Sequence, residues 1–131
     1  MREYPIQDML DTYEAFVDKG VSLDPDNRKQ RLNLAAMGLA GEAGEVVDHI
    51  KKHIFHGKPL DADALLLELG DVLWYYMLLI RTLNTTIDEV VVANVAKLQA
   101  RYPERHTDTG VEEPAVKAPL DFTYDEFGDG C

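Results

Sequence analysis

An all-α fold is expected on three observations. Four segments repeat their apolar residues at helical spacing, no segment sustains apolar/polar alternation, and the length suits one hydrophobic core. The 131 residues are 46% hydrophobic and 28% charged, the composition of an ordinary globular protein, which excludes global disorder and a fibrous repeat. A second catalytic domain does not fit in this length. The longest apolar run, residues 72–80, falls far short of the ~20 residues that span a bilayer, so it is expected to be core rather than membrane.

The first segment covers about residues 5–18, where Ile6, Met9, Leu10, Tyr13, Phe16 and Val17 recur at helical spacing and Gly20 is the expected stop. After the turn-like Asp24-Pro25-Asp26-Asn27, a longer segment covers about residues 28–55. It carries Gly38, Gly41 and Gly44 in its interior, each costing roughly 1 kcal/mol relative to alanine, which suggests that something packs very close. His56-Gly57-Lys58-Pro59 breaks it, and Asp61 is placed to cap a third segment over about residues 62–83. That helix is apolar on nearly every side from Leu65 to Ile80, more than a four-helix monomer can bury, so an oligomer is expected. Thr86-Ile87-Asp88-Glu89 has the form of a capping box opening a fourth segment, which ends near Tyr102-Pro103. Residues 1–103 are therefore expected to be the folded domain and residues 104–131 a flexible acidic tail.

Charge narrows the partners. A formal charge of -11 argues against a nucleic-acid polymer, which needs a basic face; residues 103–131 alone hold 8 acidic and 2 basic side chains, more than half of that excess. Cys131 is the sole cysteine and cannot form an internal disulfide, and no signal-like segment opens the sequence, so a cytoplasmic location is expected.

Chemistry concentrates in two acid pairs, Glu42/Glu45 and Glu68/Asp71. Each pair is spaced i, i+3, so each presents two carboxylates on one helix face. In an antiparallel hairpin, residues level with one another are centred on the turn. The centre of these four is 56.5, on His56-Gly57, so the acids should face one another roughly 20 Å from the loop. Four clustered carboxylates need compensation, and oxygen-only ligation selects a hard cation such as Mg²⁺, with Mn²⁺ as a substitute. Read singly, either pair is an ordinary solvated surface feature; the apolar surroundings of Glu68 and Asp71 favour a metal. The di-iron bundle alternative requires Glu-x-x-His, which does not occur, and His49, His53 and His56 are read as surface or partly buried structural residues. On the fourth helix Asn94, Lys97 and Arg101 fall at i, i+3 and i+7, and Lys51 and Lys52 follow the first acid pair. Such cations suit a polyphosphate, although Lys97 and Arg101 alone read equally as a snorkelling helix surface.

The stretches Gly-Leu-Ala-Gly-Glu-Ala-Gly-Glu-Val from Gly38, Glu-Leu-Gly-Asp-Val-Leu-Trp-Tyr from Glu68 and Asn-Val-Ala-Lys-Leu-Gln-Ala-Arg-Tyr-Pro from Asn94 resemble the MazG-type all-α nucleoside triphosphate pyrophosphohydrolases. The resemblance runs from about Leu34 to Pro103 in the correct order. It implies a four-helix bundle-like fold in a homodimer or dimer of dimers, and Mg²⁺-dependent hydrolysis of (deoxy)nucleoside triphosphates to monophosphate and pyrophosphate. Glu42, Glu45, Glu68 and Asp71 would then be metal ligands, with Glu42 or Glu45 orienting or deprotonating the attacking water. Asn94, Lys97 and Arg101 would hold phosphates. One departure stands out: many members have Glu-Glu-x-x-Glu, and here Gly41 precedes Glu42. Tyr13, Phe16 and Trp74 are candidates to meet the base, although ordinary core is the favoured role for each. A catalytically silent helical dimer that binds nucleotide or protein is the alternative, and turnover separates the two.

Overall fold

The computed structural model describes residues 5–103. They form four helices and no strand: α1 (Ile6–Gly20), α2 (Arg28–His56), α3 (Ala62–Thr82) and α4 (Ile87–Arg101). The chain divides into two units, Met1–Thr86 and Ile87–Cys131. The expectation of a flexible tail falls on residues outside the described ones. No described helix is long and apolar enough to cross a membrane.

Local signals account for the helix ends. The Asn27 side chain accepts the Gln30 amide at the start of α2, and Asp61 accepts the Ala64 amide at the start of α3, each satisfying a donor that the helix itself leaves open. Gly57 closes α2 in the left-handed region at φ 63°, where a side chain is strained and glycine is not, and its amide returns to the Lys52 carbonyl. His53 Nδ1 lies 2.8 Å from the Lys58 carbonyl and ties the turn back onto α2. α4 begins directly after Thr86, the capping position expected from the sequence. Gly20 is the last residue of α1 rather than its terminator; extended Val21 follows.

In the first unit α2 and α3 form the main pairing, and α1 packs on α3. Val17, Ala35, Met77, Leu78 and Ile80 are buried, so the core gathers α1, the first part of α2 and the last part of α3. Arg81 fastens the same end, donating to Asp18 at 2.7 Å and to Glu14 at 3.3 Å. Its cationic form is favoured first by the Asp18 hydrogen bond. Nearly buried Arg31 reaches Asp18 from α2.

Close packing of glycine occurs at one of the three expected positions. A Cβ at Gly38 would lie 2.5 Å from Tyr75 Cζ and closer still to Cδ1 and Cε1, so the Tyr75 ring occupies the space of an absent side chain. Gly41 and Gly44 have nothing within 4 Å, which corrects the expectation that all three mark a close approach. Within this single chain Leu66 and Leu67 are 66% and 72% exposed, so the first half of α3 does not bury its whole circumference.

Candidate metal centre

Gly38 and Tyr75 set the register that builds the site. Positions 38 and 75 are centred on 56.5, and the same centre pairs Glu42 with Asp71 and Glu45 with Glu68. One helical turn beyond the Gly38–Tyr75 contact, the two acidic stripes therefore meet across the hairpin. Carboxylate oxygens of Glu42, Glu68 and Asp71 lie within 4.8 Å of one another. Glu42 and Glu68 are half-buried and Asp71 is exposed, so the cluster opens to solvent on one side. This departs from the fully apolar setting that the leucines around Glu68 suggest.

Glu42 registers the crowding. Its carboxyl is pushed above the usual carboxylate range, first by partial desolvation and then by the charges of Asp71, Glu68 and Glu45. Three oxygen donors at this separation, with an uncompensated negative charge, fit a hard divalent cation. Glu45 is exposed and lies outside the three-acid set, although its charge is felt by both Glu42 and Lys52.

Two neighbours extend the site. His49 Nε2 stands 3.4 Å from Glu68 Oε1, with both side chains about a quarter exposed. The sequence contained a signal for it: Glu42, Glu45 and His49 are spaced i, i+3, i+7 and so share a stripe of α2. Its acidic partner sits on the other helix, where spacing within α2 could not find it. Tyr13 comes from α1; its phenol is raised above the ordinary tyrosine value by burial and then by the Asp71 charge.

The Tyr13 and Phe16 rings stack with centroids 6.4 Å apart, and Phe16 is exposed. Trp74 packs edge-on to Tyr75 at 5.0 Å and lies against Gly20, a packing role. Lys51 and Lys52 both pair with Asp48, Lys51 at 2.8 Å, and these bonds hold the Asp48 carboxyl down at about 2. Asn94, Lys97 and Arg101 line one exposed stripe of α4 in the second unit.

The family model of the MazG nucleotide pyrophosphohydrolase domain matches residues 30–106. The chain is similar to the Gene 37 protein of Mycobacterium phage L5, with 38% identity over 74 residues. That match takes in 53% of this chain and 65% of the phage protein, so the chain covers just under two thirds of that relative's length. No solved structure matches. The matched residues contain α3 and α4 whole and nearly all of α2, with both acid pairs and the α4 stripe inside them, and the chain belongs to the MazG nucleotide pyrophosphohydrolase domain family.

Proposed function

We propose that this chain hydrolyses (deoxy)nucleoside triphosphates to the monophosphate and pyrophosphate in a Mg²⁺-dependent reaction. The observation that carries the reading is the convergence of Glu42, Glu68 and Asp71 from two helices, in a family named for this activity. These three acids, joined by Glu45, would hold the cation. When bound, Mg²⁺ offsets charge on the transferring phosphoryl group and makes water more acidic.

The protein's own groups supply the remainder. A water molecule attacks the α-phosphorus, the bond to the bridging oxygen of the β-phosphate breaks, and pyrophosphate leaves. Glu42 or Glu45 would orient that water or take the proton it releases, the role the resemblance implies, and Glu45 is open to solvent. Asn94, Lys97 and Arg101 are assigned to the phosphates from their shared exposed stripe and the resemblance. The exposed leucines of α3 support assembly as a homodimer or dimer of dimers. The acidic net charge disfavours a nucleic-acid polymer as partner.

The test is the bond that breaks. In ¹⁸O-labelled water a (deoxy)nucleoside triphosphate panel with Mg²⁺ should yield monophosphate carrying the label and unlabelled pyrophosphate. Label in pyrophosphate would reverse the assigned direction of attack, and diphosphate with orthophosphate would identify a simple phosphatase instead. No turnover across the panel would leave the silent binding dimer as the reading.

A further inference from the structure

We propose that His49 is a positioning residue for Glu68, holding that carboxylate toward Glu42 and Asp71 from outside the three-acid set. His49 Nε2 is 3.4 Å from Glu68 Oε1, and it lies outside the group of donors that are mutually within 4.8 Å. It therefore flanks the cluster. The separation is longer than the 2.7–3.2 Å of a good N–H···O bond, so the positioning role requires the pair to tighten to that range.

Glu68 needs such a partner. Its carboxylate ends a flexible side chain and faces two like charges, so left alone it would swing outward to solvent. Its sequence neighbours Leu67 and Leu69 are exposed and apolar and donate nothing. The nearby cations on α2 are engaged elsewhere, because Lys51 and Lys52 both pair with Asp48. An imidazole N–H on one oxygen fixes the carboxylate's orientation and leaves its other oxygen for a cation, the usual work of residues just outside a metal's ligands.

The assignment rests on Glu68 being a cation ligand, so the experiment separates the two ideas. Binding of Mn²⁺ alone to the full chain is measured by electron paramagnetic resonance at one fixed pH, for wild type, Glu68→Gln, His49→Leu and His49→Gln. Thermal melts without metal accompany each. Glu68→Gln should abolish tight binding and His49→Leu should weaken it about 10- to 100-fold. His49→Gln, whose amide nitrogen can take the place of Nε2, should return to within about 3-fold of wild type. Metal-free melting of both His49 variants should match wild type.

Wild-type affinity in His49→Leu, with Glu68→Gln defective, overturns the His49 role alone. That role also fails if His49→Gln is as weak as His49→Leu, or if the weakening tracks a loss of metal-free stability. If wild type binds no Mn²⁺, or Glu68→Gln binds as well as wild type, the metal reading of Glu68 fails and the His49 role fails with it.

Discussion

Alanine at Gly38 and alanine at Gly41 are the same chemical change on the same helix, and the structure gives them opposite signs. At Gly41 the new Cβ meets nothing within 4 Å, so the substitution acts through helix propensity and should stabilise by up to ~1 kcal/mol. At Gly38 the Cβ would stand 2.5 Å from Tyr75 Cζ and closer to two more ring atoms, whereas carbon atoms settle at about 3.5 Å or more. The ring or the helix must therefore retreat by about 1 Å. Overpacking of this kind costs roughly 1–3 kcal/mol. Displacing Tyr75 from its edge-on contact with Trp74 adds about 0.5–1.5 kcal/mol. After the gain of ~1 kcal/mol in propensity, Gly38→Ala should lose about 0.5–3.5 kcal/mol, a gap of roughly 1.5–4.5 kcal/mol from Gly41→Ala. At roughly 4 °C per kcal/mol for a domain of this size, Gly38→Ala should melt about 6–18 °C below Gly41→Ala by calorimetry or far-ultraviolet circular dichroism. Because Glu42 and Asp71 are one turn from the contact, the same retreat should separate the two carboxylates and weaken Mn²⁺ binding, while Gly41→Ala retains it. A Gly38→Ala protein that melts at or above Gly41→Ala would refute the claim that the Gly38–Tyr75 contact sets the hairpin register.

Three further outcomes are expected. Glu42→Gln, Glu68→Gln and Asp71→Asn should each abolish Mg²⁺-dependent turnover and raise metal-free melting temperature, since each removes one of three repelling charges; a wild-type rate in all three would dismiss the site. Folded Glu42 binds its proton more tightly than the ordinary value of 4.5, so its contribution to stability is full below that value and is lost as pH rises through the higher folded one. Asp48 runs oppositely, contributing above 3.8 and losing that contribution as pH falls through about 2. Melts of metal-free Glu42→Gln should therefore lack the decline above pH 4.5 and keep the acid-side loss. Leu67→Glu, at an exposed α3 position, should lower the mass seen by light scattering at micromolar concentration if copies of this chain cover that face, and truncation after Pro103 should leave turnover unchanged.

The features legible in the sequence are local or periodic. The cap at Asp61 and the stop at Gly57 are each decided by a side chain or a φ angle within a few residues of the helix end, as is the cap at Asn27, which the sequence offered only as part of a turn. The hairpin register was legible because a short turn forces antiparallel neighbours to share a centre, and both acid pairs point to the turn actually formed at Gly57. Family membership was legible for the same reason, since motif residues keep their order and spacing whatever the packing.

Which of those residues meet was settled by packing. Helical spacing assigns each side chain a direction only relative to its own axis; the rotation of α2 against α3 then selects Glu42, Glu68 and Asp71 and leaves Glu45 exposed beside them. That rotation follows from Tyr75 filling the space over Gly38, a contact between residues 37 positions apart. The pairing of His49 with Glu68 is likewise between helices, invisible to periodicity within either of them. Of the three glycines, all alike in sequence, only Gly38 faces α3, because an offset of three residues turns the backbone by about 300° and each further offset carries the next glycine away from the seam.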